Sequence, residues 1–437
     1  REHLAPITKK EIKEAPVFSP PTWKETKENT STVFQTVPES EKHNFSITDD
    51  NLGIGGPKEK FRNNMAAVNL LYELEFDNRL ATPEEQEILS KYVGFGGLAD
   101  AFDESKEAWS DEYKELIVTL SPDEYAAARE STLTAFYTPP VVIRAMYDAL
   151  QNMGFSDGNI LEPSCGTGHF IGMLPRSMQN SKFYGVELDS ISGRIARQLY
   201  QKSNIAVQGY EKASLPDSFF DVAIGNVPFG QFKVVDKKYD KNNWLIHDYF
   251  FGKTLDKVRP GGIIAFITSS GTMDKKNPAV RKYIAQRAEL LGAVRLPNNT
   301  FKANAGTEVT SDIIFLQKRD TIVNDEPDWV FLDRDENGNE MNKYFVDNPE
   351  MVLGEMVMES SQFGQSLTCK PYEDRSLSDL LSEAIQNIHA DFSELDVSEI
   401  DEIEDNSIPA YPDVKNFSFT VADGKIYYRQ NSRMNPV

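Results

Sequence analysis

The stretch ILEPSCGTGHF at residues 160–170 restricts the fold of this chain more than any other. A short apolar strand end, Asn159, Ile160 and Leu161, runs into Glu162 and Pro163, then into Gly166, Thr167 and Gly168 before a helical pattern. Strand, glycine turn and helix form the opening unit of a doubly wound α/β domain. Glycine lets the backbone approach a ligand closely and supplies the positive φ that a sharp turn needs. A ligand is therefore expected over this turn, the alternative for the turn taken alone being an ordinary tight connection.

The ligand is not a dinucleotide or a triphosphate. The spacing is Gly166-x-Gly168-x-x-x-Gly172 rather than GxGxxG, and the chain has no GxxxxGK[ST]. A second strand at 183–186 ends in Glu187, about 20 residues beyond the glycines, where a carboxylate can accept both hydroxyls of a ribose. With Glu162 at the end of the first strand, two acids face the turn. That arrangement favours a cationic, ribose-bearing cofactor such as a sulfonium.

From Asp221 the chain reads DVAIGNVPFG, a buried-looking strand ending in Asn226, Val227, Pro228 and Phe229. Here it resembles the S-adenosylmethionine-dependent amino-methyltransferases of DNA, whose fourth motif is [NDS]PP[YFW]. Upstream, AFYTPP at 135–140 resembles the FYTP segment of the type I and related gamma-class adenine methyltransferases; downstream, AVRLPNNTF and TSDIIFLQK resemble their late strands. NFSITDDNLGIGGPKEKF, ATPEEQEILSKYVGFGGLADAFD and YFVDNPEMVLGEM look like the methylase half of large methylase-helicase proteins of phages and conjugative elements, some linked to antirestriction. In that family a helicase follows the methylase. None follows here and the chain opens on Arg1, as expected of a module cut from a longer protein.

The resemblance implies a doubly wound α/β fold, the mostly parallel seven-stranded sheet of class I methyltransferases, and transfer of a methyl group from S-adenosylmethionine to adenine N6 in DNA. An exocyclic adenine amine is a weak nucleophile because its lone pair is delocalised into the ring. Two acceptors against its N–H groups free that lone pair, and by resemblance these are the Asn226 side-chain carbonyl and the Val227 backbone carbonyl. Direct displacement then needs orientation and electrostatics more than a general base. Phe229 would stack on a base swung out of the duplex. Asn226 favours adenine over cytosine, for which the family commonly has Ser. Val227 departs from the motif's proline; the carbonyl survives and the residue before Pro228 is still held extended. By the same resemblance Gly166 and Gly168 admit the cofactor, Glu162 and Glu187 hold it, Thr138 meets its methionine end, and either Tyr210 or Glu211 meets its adenine. Phe136 and Tyr137 are read as packing. Methylation of protein glutamine or of RNA remains an alternative, as does a noncatalytic DNA- or cofactor-binding part of an antirestriction protein.

Composition bounds the rest. The net charge of -22 divides unevenly: residues 129–320 carry 24 Lys and Arg against 18 Asp and Glu, so the proposed core is the basic part. Duplex affinity comes from phosphate neutralisation, and the acidic flanks either oppose nonspecific binding or serve solubility. Lys233, Lys237, Lys238 and Lys241, interleaved with Phe232, Tyr239 and Trp244, suit phosphates and unstacked bases; a solvated loop is the alternative. Cys165 and Cys369 give neither a disulfide framework nor zinc spacing, and the histidines do not pair as metal ligands. His169 is expected at a helix start or in solvent, and His247 to cap or pack. Without a long apolar run or signal peptide, a bacterial or phage-encoded cytoplasmic protein is expected.

Four regions follow. Residues 1–45 read as flexible linker. Residues 46–130 read as a helical domain, with Phe61, Met65, Val68, Leu71 and Leu74 at helical spacing, a capping box at Thr82 and a third helix starting at Ser121. Residues 131–320 are the methyltransferase core, in which a helix is expected from Pro278 to near Leu291. Residues 321–437 form an acidic extension with short strands, a helix over about 378–388, an acidic run at 394–405, and a terminal hairpin turning at Asp423 and Gly424.

Overall fold

Five strands lie side by side in parallel, and they set the architecture of the computed structural model, which describes residues 37–50, 54–132, 137–302, 308–361, 364–390, 407–422 and 424–437. Strands β1 (Asn159–Glu162), β2 (Lys182–Glu187), β3 (Asn204–Val207), β4 (Phe220–Asn226), β5 (Val258–Ser269), β6 (Ala288–Leu296) and β7 (Ser311–Lys318) form one sheet in the order β3-β2-β1-β4-β5-β7-β6. β7 runs antiparallel to both neighbours and the other pairs are parallel. β1 is buried throughout and β4 in all but its last residue, which is why their sequences are nearly unbroken apolar runs. The strand order reverses between β1 and β4, and a doubly wound sheet opens a crevice at such a point, beyond the carboxyl ends of the strands. Glu162 and Asn226 are the last residues of those two strands.

Packing divides the chain into Arg1–Pro38 and Glu39–Val437, and the elements described lie in the second unit. Helix α1 (Pro57–Phe76) buries the five apolar residues expected of it, and α2 (Pro83–Leu89) starts at the expected capping box on Thr82. α3 (Ser110–Thr119) lacks a side-chain cap and was not expected, whereas α4 (Pro122–Ser131) carries the capping box on Ser121. These helices do not stand apart from the sheet. Gln86 donates to the carbonyls of Gln198 and Leu199 at the end of α7 (Ser190–Leu199), Gln201 donates to Ala81 O, and Arg194 pairs with both Glu75 and Glu124. One continuous apolar core runs from Phe61 to Met434. The linker expected up to residue 45 is tied down earlier: Gln201 N–H donates to His43 O and Phe45 N–H to Leu199 O.

The helix expected to reach Leu291 ends at Ala285. Residues 288–296 are drawn instead into antiparallel pairing with β7, a tertiary demand that local propensity does not report. The acidic extension is likewise packed where it is described. Arg295, fully buried on β6, holds both oxygens of Asp312 at 2.8 and 2.9 Å and Asp274 at 2.8 Å, with Phe345 of the extension 4.3 Å below its guanidinium. A helix at Leu377–Ala384 matches the expected one, and strands Phe419–Ala422 and Lys425–Gln430 form the terminal hairpin. Gly424 takes φ 75° at its turn; Asp423 and the acidic run at 394–405 lie outside the described residues.

The terminal sheet docks on the core through one buried carboxylate. Asp221 on β4 accepts from Asn159 N–H at 2.8 Å, Arg259 Nε at 2.6 Å and the Ser432 hydroxyl at 2.7 Å. It joins β1, β4, β5 and the C-terminal strands, and its removal takes from the buried Arg259 guanidinium the ion pair it makes at 2.6 Å. Asp221→Ala is expected to lower the unfolding free energy by about 3–5 kcal/mol, read from the denaturant midpoint, and a loss below about 1 kcal/mol would contradict this role.

Candidate active site

The glycine turn is built from two glycines doing different work. Gly166 (φ 54°) and Gly168 (φ 84°) both sit in the left-handed region that disfavours side chains. A Cβ on Gly168 would lie 2.4 Å from the Tyr200 ring, so this glycine is required by packing below the turn. Above Gly166 the nearest atom among the described residues is Tyr137 Cε1, 3.8 Å from the position of a Cβ. That face of the turn is open to a ligand.

Glu187 at the end of β2 fixes the turn's orientation. One carboxyl oxygen accepts Gly166 N–H at 2.7 Å and the other accepts Asp189 N–H at 2.7 Å. Each oxygen keeps a lone pair for a further donor. Burial, and after it the charge of Asp189, pushes the Glu187 carboxyl up to about 7 despite these bonds. Glu162 is 2% exposed, and burial together with the Glu187 charge holds its carboxyl well above the usual range. Its Oε2 has no hydrogen-bond partner among the described residues. It has room at the end of β1 because its neighbour on β4 is Gly225, where a Cβ would come within 3.2 Å of Glu162 Cγ.

Asn226 ends β4 with its side-chain Oδ1 buried and unpartnered among the described residues, while Ser164 Oγ donates to its backbone carbonyl at 2.9 Å. The glycine turn and the asparagine thus meet at the crevice. Val227 N–H donates to Ile267 O at 3.0 Å, a bond that proline cannot make, so this backbone gains an anchor in β5 where it loses a ring. Pro228 and Phe229 follow, partly exposed. Thr138 is buried and its backbone hydrogen-bonds His169. His169 does start a short helix (His169–Gly172) and is partly buried: burial lowers it to about 4, its Nε2 is unpartnered among the described residues, and its ring lies 5.0 Å from that of Tyr137. His247 packs, 4% exposed, in the first turn of α8 (Ile246–Lys257). Among the described residues no cluster of three or more metal-ligating side chains occurs.

Tyr210 and Glu211 differ in burial. Tyr210 is core, its hydroxyl paired with Thr254 Oγ1 at 3.0 Å, and Glu211 is the partly exposed one. Of the loop that follows the NVPF turn, Lys233, Lys237, Lys238 and Lys241 are exposed as expected, though Lys238 is paired with Asp256 at 2.7 Å. Trp244 departs from its expected role as a stacking platform. Its ring packs flat near Tyr239 at 6.2 Å, edge-on to Tyr283 at 4.7 Å, and over Gly252, where a Cβ would be 2.1 Å away. Phe232, half exposed, is the aromatic this loop presents to solvent. Sequence reasoning missed the Ser164 bond to Asn226, which joins residues 62 apart.

A family profile described as N-6 DNA Methylase matches residues 105–347. Over 261 residues the chain is 30% identical to "Defense against restriction protein B" of Escherichia phage P1, covering 58% of this chain and 10% of that protein. It is 37% identical over 191 residues to the type II methyltransferase M.CvrRI of Paramecium bursaria Chlorella virus XZ-6E, covering 42% of this chain and 48% of the relative. The chain therefore spans a tenth of the first relative and about half of the second. Among solved structures, a type I restriction-modification methyltransferase subunit from Streptococcus thermophilus aligns over 76% of this chain and 91% of its own, at 13% identity and a TM-score of 0.36.

The raised Glu187 carboxyl makes binding of a cationic, ribose-bearing cofactor proton-linked. The ligand-free fold favours the neutral acid below pH 7, while a sulfonium and hydroxyl donors favour the carboxylate, so affinity rises with pH up to about 7 and then levels. Titration calorimetry with S-adenosylmethionine is expected to find binding about tenfold weaker at pH 6 than at pH 8, and Glu187→Gln to remove the dependence. A flat profile in the unaltered protein would contradict it.

Proposed function

This chain belongs to the N-6 DNA methylase family, and from that premise we propose that it methylates the N6 amine of adenine in DNA, as the methylase module of a longer protein that carries a helicase. The fold and the family make S-adenosylmethionine its cofactor. The residues present fit that group. Two buried acids, neither ion-paired with a cation among the described residues, suit a sulfonium, and the open face of Gly166 leaves room for it. When bound, the cofactor supplies an electrophilic methyl group.

The chain's own residues supply orientation. Glu187 offers its remaining lone pairs to ribose hydroxyls, and Glu162 offers its unpartnered Oε2 as an acceptor below. Asn226 Oδ1 is the observation that carries the proposal. A buried acceptor without a donor costs about 1–3 kcal/mol, and an adenine amine is a donor that relieves it. The Val227 carbonyl, held by the bond from Val227 N–H to β5, takes the second N–H. Phe229 packs on the extruded base, and Pro228 stiffens the turn between them. The exposed Lys233, Lys237 and Lys241 meet phosphates. Lys238 joins them by giving up its pairing with Asp256, Glu211 and Thr138 line the two ends of the cofactor, and Gly168 keeps the turn tight. The length of the phage P1 relative supports a multidomain parent, acting in the cytoplasm of a bacterial host.

Incubation with radiolabelled cofactor and DNA, followed by nucleoside digestion, is expected to give N6-methyladenosine in its deoxy form. Label appearing only in RNA or protein glutamine would replace the DNA assignment, and no turnover on any acceptor would favour a noncatalytic module. Asn226→Ala is expected to bind cofactor with unchanged affinity, to keep or raise the unfolding midpoint, and to lose about 10²–10³-fold in methyl transfer. Full activity in that variant would remove Asn226 from the site.

A further inference from the structure

One wall of the cofactor pocket comes from outside the sheet. The Tyr137 ring spans two glycines: its Cε1 edge approaches Gly166 at 3.8 Å and its Cε2 edge approaches Gly94 at 3.2 Å, both measured to the position of an added Cβ. Its ring lies 5.0 Å from that of His169, tilted by 43°, and its hydroxyl is turned toward Ser192 and the charges of Asp189 and Glu187. Tyr137 is therefore wedged between the cofactor turn and the loop that follows α2. Packing was the role expected of this ring, and its neighbours make that packing part of the pocket.

The loop is tied at several points, Gly97 N–H to Thr132 O and Tyr92 to Ser192 among them, and at Gly94 the tie is a side chain. Asn64, fully buried on α1, donates Nδ2 to Gly94 O at 2.6 Å and accepts Val93 N–H on Oδ1 at 2.9 Å. Gly94 takes φ 68°, and a methyl group there would press on the tyrosine. A buried polar residue in the apolar stripe of a helix is costly unless its bonds are made, and both of these bonds go to the same turn. They set where Gly94 stands, and Gly94 sets how close Tyr137 lies to Gly166.

We propose that Asn64 is a positioning residue for S-adenosylmethionine: it fixes the turn at Gly94, which seats Tyr137 over the glycine turn, so the N-terminal helices tune cofactor affinity. The proposal rests on S-adenosylmethionine being the ligand of that pocket. Its signature is dependence on Tyr137, because a change at Asn64 or Gly94 reaches the cofactor through that ring.

The test is a double-mutant cycle on the intact chain, with cofactor affinity measured by calorimetry and stability by thermal unfolding. Asn64→Leu and Gly94→Ala are each expected to weaken S-adenosylmethionine binding about tenfold when Tyr137 is present and less than about twofold in a Tyr137→Ala background. The loss should fall on KM for the cofactor rather than on kcat. Leu74→Ala, a core change on the same helix away from this turn, should lower the melting temperature and leave the affinity alone. Equal losses in both backgrounds, or an equal loss in Leu74→Ala, overturn the inference; if Asn64→Leu does not fold, Gly94→Ala decides it. Failure of the unaltered protein to bind the cofactor would instead remove the functional proposal, and this one with it.

Discussion

The divergence of β1 and β4 is the constraint on which the site depends. Two parallel strands whose chains leave in opposite directions cannot be covered at their carboxyl ends by their own connections. Glu162 and Asn226 end there, and Gly225, with φ 151°, lets the carboxyl lie against the neighbouring strand. Neither Glu162 Oε2 nor Asn226 Oδ1 finds a partner among the described residues, although native structures pair nearly all buried polar atoms. Unpaired acceptors at a crevice are what a ligand rich in donors and positive charge can use.

Such a site is destabilising on its own, and the rest of the molecule holds it rigid. Asp221 ties the first, fourth and fifth strands to the terminal sheet, and Arg295 ties the sixth and seventh to the segment around Phe345. The regions on either side of the methyltransferase core thus act as buttresses of one core. The N-terminal helices go further, since the grip of Asn64 on Gly94 carries their packing to the tyrosine beside the glycine turn.

Features that depend on local chemistry were legible in the sequence. Capping boxes at Thr82 and Ser121, the apolar period of α1, the glycine turn and the strand before Asn226 all declare themselves within a few residues. Features set by distant partners were not. Residues 288–291 look helical until β7 pairs with them, and Trp244 looks like a free platform until Gly252, Tyr239 and Tyr283 close around it. His43 and Phe45 sit in a polar context that reads as linker, and bonds to α2, to α7 and to the residues just after α7 hold them in place. Asn64 reads as a polar interruption of a helix face. Its meaning lies 30 residues away.

The claim that joins these parts is that the acids at the glycine turn and the asparagine of the NVPF segment serve one pocket, with cofactor and acceptor amine on adjoining sides. It is tested most directly by determining the structure of the protein with S-adenosylhomocysteine bound. The account predicts ribose hydroxyls on Glu187 and the thioether sulfur facing the crevice beside Asn226. A ligand seated elsewhere, or one whose sulfur points away from Asn226, would contradict it.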